Sequence, residues 1–302
     1  MEKNIYLEKF FEEFDYQEEA REAYRAVGIA LERNPECKDK AQRATDMLFE
    51  KPQDVEGIIA LLTDAAKGIG ISAHTVKFYV LAVATEKLRE LWRKGGTDDS
   101  VAYNSLRDFR FKSDECHMFA GVYGSFSDAW LIGWFRGDRF AFGRLQFEVT
   151  KLSYEEGITV GGKFFEKGSE VVGVHIPRSP DSFSPEARLA SYKMAYEHFK
   201  SQFPEKEIPF TCGSWLLFPY NKEILSPTSN TVTFANEFKL MSWGRAEVWI
   251  RFIFGVLYKG NPDDLPENSS LHRGYKKYIK EGNMVGSGYG IFLFDGEKII
   301  NE

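Results

Sequence analysis

The chain has 302 residues, 28% of them charged and 43% hydrophobic, and carries a net charge of −6 at pH 7. That length holds one large domain or two ordinary ones, and the acidic balance argues against a nucleic-acid or anionic-membrane surface. The three widely spaced cysteines, Cys37, Cys116 and Cys212, outline neither a disulfide framework nor a zinc site. No apolar run reaches the ~20 residues of a membrane span, and the acidic amino terminus is unlike a secretory signal. The expectation is a soluble, cytoplasmic protein with no metal.

Up to residue 118 the chain is charged and helical in pattern. Residues 5–14, 18–32, 39–49, 55–66 and 74–93 each suit a helix, with Pro35, Pro52, Gly68 and Gly95 between or after them. Six of the 26 glycines lie before residue 119, which places a change of class there. Short strand-like runs follow at 129–135, 140–150, 170–177 and 209–217, separated by glycine-containing turns such as Thr159-Val160-Gly161-Gly162. A helix at 270–281, capped by Ser270, and a last strand at 284–294 complete the chain. The fold class is α+β: a helical domain over residues 1–118, then a mixed-sheet domain over 119–302.

Residues 170–218 read as strand, loop, helix, strand. Val171, Val172, Val174 and Ile176 form a β-branched run that Pro177 ends. Ser184-Pro185-Glu186 carries a helix start, and the apolar stripe runs through Leu189, Tyr192, Tyr196, Phe199 and Phe203. About 18 helical residues span roughly 27 Å, enough to return along a strand and begin a parallel neighbour. A loop between strand end and helix start is where anionic groups dock on many sheets.

Alternation along 140–149 places Arg144, Gln146 and Glu148 on one face of a strand. A central strand with a polar face implies a cleft, solvent, or a salt bridge to the helical domain. His175 ends the next strand, and Cys212 and Ser214 share a face of the one after. If these sets lie on one side, they outline a site near the strand ends. Cys212 beside His175 also suggests a thiol nucleophile, though a packed cysteine in FTCGSW is more simply an inert filler. Trp215 reads either as a substrate contact or as a strand-end packing residue. The aromatic residues Phe109, Phe111, Tyr123 and Trp130 either line an acyl pocket or pack between domains.

The stretches GRLQFE (143–148), HIP (175–177), FSPEA (183–187), TCGSWLL (211–217), SNTVTF (229–234) and LPENSSLHRGYKKYIKEG (265–282) resemble the GNAT-like carboxyl-terminal domain of a bacterial acyltransferase family. GIGIS (68–72) and SLRDFRFK (105–112) are similar to that family's helical N-acyltransferase amino-terminal domain. The resemblance implies a GNAT-type sheet flanked by helices, and acyl transfer from acyl-CoA to a small-molecule amine or similar nucleophile, in a cleft between sheet and helical domain.

GNAT chemistry requires a base, donors for the thioester oxygen and an acid for the leaving thiolate. The resemblance points to Glu148 as base, backbone N–H groups near His175 and Ile176 as donors, and Ser214, Tyr220 or Tyr289 as acid. CoA would be held by His175, Ile176, Pro177, Arg178, Ser184 and Arg188, and the acceptor by Arg144, Gln146 and Trp215. The loop from Arg178 to Glu186 departs from the glycine-rich pattern of GNAT enzymes: it has two prolines, an aspartate and no glycine. Arg188, at the edge of the apolar stripe, suits either a phosphate or a salt bridge. The competing reading is a GNAT-like protein that binds or senses a ligand without catalysis.

Overall fold

A computed structural model describes residues 5–301. They form two compact units that divide at Arg139/Phe140, later than the expected boundary at residue 118, which lies inside a helix.

The first unit contains α1 (Ile5–Glu13), α2 (Glu18–Glu32), α3 (Pro35–Met47), α4 (Val55–Ile69), α5 (Ala73–Lys94), α6 (Asp99–Ala120) and α7 (Asp128–Gly133). Helix α3 starts earlier than expected because Asn34 caps it, its Oδ1 accepting the Cys37 N–H at 3.2 Å, with Pro35 at the first helical position. Helix α5 packs against each of the other six helices. Its Val76, Phe78, Leu81, Ala82, Leu88 and Trp92 are therefore buried around the helix rather than on one stripe. No single helix among the described residues is long and apolar enough to cross a membrane.

Residues 129–135, expected as a strand, are α7 and a 3₁₀ turn at Trp134–Arg136. The indoles of Trp130 and Trp134 both donate to Oδ2 of buried Asp108, at 2.6 and 3.1 Å. Two side chains four apart converge in this way on a helix, whereas on a strand their spacing along the chain would double. The Arg139 guanidinium then stacks 3.7 Å from the Trp130 ring. These contacts extend the helical unit past the point where glycine becomes frequent. Phe109 packs against Phe10 and Phe78, Tyr123 stacks on His117 and Phe111 lies beneath Arg107, so this aromatic set packs within the helical unit.

The second unit holds β1 (Arg139–Phe142), β2 (Leu145–Lys151), β3 (Ile158–Val160), β4 (Lys163–Phe165), β5 (Glu170–His175), α8 (Pro185–Phe199), β6 (Ile208–Ser214), α9 (Asn221–Ile224), α10 (Asn230–Ala235), β7 (Lys239–Arg245), α11 (Trp249–Phe254), α12 (Ser270–Lys280), β8 (Gly286–Phe294) and β9 (Ile299–Ile300). The main sheet has the order β1-β2-β5-β6-β8-β7, with β9 on β8. The β5–β6 pair is parallel, while β2–β5, β6–β8 and β7–β8 are antiparallel. This is the mixed sheet expected.

Three local differences bear on the site. The run 140–150 is not one strand: Gly143, at φ 60°, turns the chain between β1 and β2 and leaves Arg144 in the turn. The run 209–217 stops at Ser214, after which Trp215–Leu217 form a 3₁₀ turn. That turn lies so close to β8 that a Cβ on Gly288 would overlap the Leu217 carbonyl. Helix α12 is capped by Ser269 rather than Ser270, its Oγ accepting the His272 N–H at 3.1 Å.

Helix α8 covers one face of the sheet. Tyr192 packs there against Phe147, Phe210 and Phe292. Leu189 is exposed and Arg188 buried, the reverse of the expected stripe. The β3–β4 hairpin covers part of the opposite face, where Val160 packs with Ile291 and Leu293. Between β7 and β8, α11 and α12 build a smaller core of Ile250, Ile253, Phe254, Leu265, Tyr275 and Ile279.

Candidate active site

The parallel pair β5–β6 is short. Its register consists of Val172↔Phe210 and Gly173↔Thr211. Beyond them β5 stays paired with β2 as far as Gln146↔His175, and β6 stays paired with β8 as far as Ser214↔Gly288. The two strands are thus held from outside while the ladder between them ends. The gap this leaves lies at the carboxyl ends of the two strands, the position where ligands enter open α/β sheets.

Cross-strand partners share a face, so the registers assign the side chains. Gln146, Glu148, Gly173, His175, Thr211, Gly213 and Tyr289 lie on one face; Cys212 and Ser214 lie on the α8 face with Phe210. The polar sets expected together are therefore on opposite faces. His175 reaches diagonally across the ladder, its Nε2 2.9 Å from Glu148 Oε1. The carboxylate is 11% exposed and the imidazole 33%, so the histidine is the member that meets solvent. Gly173 lies between them; a Cβ there would sit 3.5 Å from His175 Nε2. A carboxylate that orients an accessible imidazole is a general acid–base arrangement. Gln146 is buried directly opposite His175.

Ser214 has another task. It is buried, and its Oγ accepts the Leu216 N–H at 3.2 Å, shaping the 3₁₀ turn. The expected acid role does not fit a hydroxyl on the α8 face. Tyr289 is on the face of the histidine, with a ring carbon 3.7 Å from the position of a Gly213 Cβ. Cys212 is sealed among apolar groups, and burial raises its thiol far above the ordinary range. A buried neutral thiol opposite to the His175 face is no nucleophile. Trp215 packs against Tyr275 of α12, ring centroids 6.0 Å apart, and joins the α11–α12 core as a partly buried member.

The loop from Pro177 to Ser184 is tied down by Arg144. Its Nη1 donates to the Pro177 carbonyl at 3.0 Å and its Nε to the Asp181 carbonyl at 3.1 Å. Arg144 thus positions the loop instead of sharing a strand face with Gln146 and Glu148. Within the loop, Ser179 donates to Asp181 at 2.7 Å. Ser184 accepts the Ala187 N–H, and the Glu186 carboxyl is held below its usual range by the Ser184 hydroxyl and by its own N–H. Pro185 has no N–H to offer. The first turn of α8 is therefore capped from within.

Arg188, the other cationic candidate, is fully buried. It donates to Glu237 Oε1 through Nε and Nη2 at 2.8 and 2.6 Å, to the Phe183 carbonyl at 2.6 Å and to Thr233 at 3.2 Å. Tyr192 donates to the second Glu237 oxygen at 2.7 Å. Burial raises the Glu237 carboxyl, and Arg188 draws it part of the way back. The salt-bridge reading holds, and Arg188 has no exposed edge for a phosphate. Arg178 differs: it is exposed and makes no hydrogen bond or ion pair among the described residues. Its charge acts on His272 at the start of α12, whose imidazole is held low chiefly by burial. Among the described residues no group of three or more His, Cys, Asp or Glu could hold a metal ion.

Comparison with known proteins agrees with this architecture. Residues 6–137 match the N-acyltransferase N-terminal domain model, and residues 140–292 match the GNAT-like C-terminal domain model. No curated protein matches. Among solved structures, an acyltransferase in complex with CoA and 10C-teicoplanin is 20% identical, with a TM-score of 0.76 over 94% of this chain and 86% of that one. An acyltransferase in complex with decanoyl-CoA and teicoplanin is also 20% identical, with a TM-score of 0.75 over the same shares. At that identity the likeness establishes the fold. The two domain matches, in order and together spanning nearly the whole chain, show that this protein belongs to the acyltransferase family with an N-acyltransferase N-terminal domain and a GNAT-like C-terminal domain.

Proposed function

We propose that the protein transfers an acyl group from acyl-CoA directly to an amine of a small-molecule acceptor, and that the Glu148–His175 pair is its base. The observation that carries this reading is the end of the β5–β6 ladder at Gly173↔Thr211, with His175 just beyond it on β5 and hydrogen-bonded to Glu148. His175 takes a proton from the acceptor ammonium, and Glu148 stabilises the imidazolium that forms. The freed amine attacks the thioester carbonyl. Backbone N–H groups near the end of β5 stabilise the oxygen as it gains charge, and β2 holds that strand in place before reaction. As the C–S bond breaks, the Tyr289 hydroxyl gives its proton to the thiolate, and the proton that the attacking nitrogen sheds in becoming a neutral amide restores the tyrosine. The solved relatives bound to CoA and decanoyl-CoA support the choice of donor.

The internally capped α8 leaves few backbone donors for a pyrophosphate. Arg178 is the cation that suits this role, so phosphate binding rests on a side chain rather than on a glycine-rich loop. The same capping favours the second reading, a ligand sensor without turnover. Melting the protein with and without CoA and acetyl-CoA, then assaying thiol release with amine panels, separates the two. A shift of several degrees together with turnover supports transfer. Binding without turnover for any acceptor would establish the sensor.

A further inference from the structure

The β3–β4 hairpin and the turn that joins α8 to β6 line a cavity of about 520 Å³, a volume suited to a small molecule. Glu170 and Pro209, near the amino ends of β5 and β6, also line it, so it lies at the opposite end of the parallel pair from His175. Five residues of extended chain separate Glu170 from His175, roughly 16 Å at ~3.3 Å per residue. The proposed transfer reaction makes no use of this cavity. Its apolar walls are Phe164, Phe165, Phe203 and Pro209. Phe164 is 65% exposed, yet its place is set: the ring tip rests on Gly157, where a Cβ would stand 2.5 Å from it. Gly157 is at φ 64° and its N–H bonds the Tyr154 carbonyl, so a closed turn supports the ring.

A second observation concerns the charges around those walls. The charged lining residues are Lys163, Glu170, Glu205 and Glu207. Lys163 donates to Glu207 at 2.8 Å and also to Glu205. Lys151, outside the cavity, donates to Glu170 at 3.0 Å. Three carboxylates thus share two ammonium groups, and one negative charge is left over. The hydrogen bond from Lys163, with that from its own N–H, holds the Glu207 carboxyl below its usual range. Lys206 of the same turn does not line the cavity, and its charge acts on Asp295 as well as on Glu207.

We propose that this cavity binds an organic ammonium ion, a single positive charge on an apolar or aromatic body, at a site separate from the Glu148–His175 pair. Aromatic rings attract a cation through their negative faces, and the surplus carboxylate charge selects a monocation over a neutral or anionic molecule of the same shape. Glu205 has the most exposed side chain of the three acids, so it is the one freest to turn to the ligand. Its exposed ion pair with Lys163 is weak, and exchanging that partner for the ammonium costs little. The body of the ligand covers Phe164 and Phe203, which gain the apolar contact that solvent denies them. Binding here is independent of whether the protein acylates amines.

The test is a titration of the intact protein with phenethylammonium chloride, phenethyl alcohol and hydrocinnamate, read by calorimetry and ligand-observed NMR. The ammonium is expected to bind, and the alcohol and the carboxylate to fail. Phe164→Ala should weaken the ammonium about tenfold and Glu205→Gln several-fold, both with melting temperature unchanged because both side chains are exposed. Both positions are remote from His175, so their effect separates this cavity from an amine bound at the proposed active site. Absence of ammonium binding at millimolar concentration overturns the site, as does binding that neither substitution alters. Equal binding of alcohol and ammonium overturns the selection for a cation. If the ammonium binds as expected but no amine is acylated, the transfer reading fails and the ammonium site stands.

Discussion

Two carboxylate–cation pairs sit on opposite faces of the same sheet and have opposite characters. Arg188–Glu237 is sealed on the α8 face, and both carboxylate oxygens are engaged. Glu148–His175 lies where the β5–β6 ladder has ended, with one ring edge toward solvent. The first pair fixes α8 against α10 and the chain that follows it; the second has room for another molecule. A pair is suited to chemistry when one member stays accessible and the surrounding backbone has groups left to offer. Charge alone does not distinguish the two.

Substitution separates the pairs by readout. Glu148→Gln or His175→Gln should reduce turnover by about 10²–10⁴-fold, the range of a positioned acid–base group, while melting temperature and CoA binding change little. Full activity in both variants would remove the pair from the mechanism. Arg188→Ala should instead destabilise the fold by about 3–5 kcal/mol, because it strands the Glu237 carboxylate in the interior; thermal denaturation reads this directly. A melting temperature within a degree of the parent would show the pair to be dispensable.

Arg178→Ala is expected to weaken CoA about tenfold, or ~1.4 kcal/mol, with no effect on folding; calorimetric titration measures it. Unchanged CoA affinity would move the phosphate site elsewhere. The smallest effect concerns His198, which belongs to neither pair. It lies against Phe140, Phe142 and Phe199, and burial lowers its pKa. The folded state then binds its proton less readily than the unfolded chain, so its stabilising contribution is complete above about pH 6.5 and declines as pH falls toward the lowered folded value. His198→Gln should flatten the dependence of melting temperature on pH in that acidic window. An unaltered slope would show that another group sets it.

Much of this was legible in the sequence. The β-branched run before Pro177 and the Ser184-Pro185-Glu186 start specify β5 and α8, since their signals are local. The motifs GRLQFE and TCGSWLL carried the family. The pairing of His175 with Glu148 was not legible, because it depends on a register that sets the two strands diagonally; residues 27 apart in the chain give no sign of it. The place of Arg144 is hidden for a related reason, as a turn at Gly143 interrupts the alternation. Ser214 and Glu148 required the relative faces of three strands, which no single run encodes. In α7, two tryptophans and a β-like composition outweighed the helical spacing that Asp108 rewards.

The connection between β7 and β8 has a wider consequence. These strands are antiparallel neighbours that a two-residue turn could join, yet residues 246–285 intervene with a core of their own. The entropic cost of closing a loop rises by only ~0.6 kcal/mol for each doubling of its length. Length added to the exposed loops of this segment thus costs the sheet little, while its core stays tied to the end of β6 through Trp215 and through the Tyr275–Asn221 hydrogen bond. Its outer loops are therefore where insertion or exchange is tolerated, while the inward-facing core and the ladders of β6, β7 and β8 keep their register.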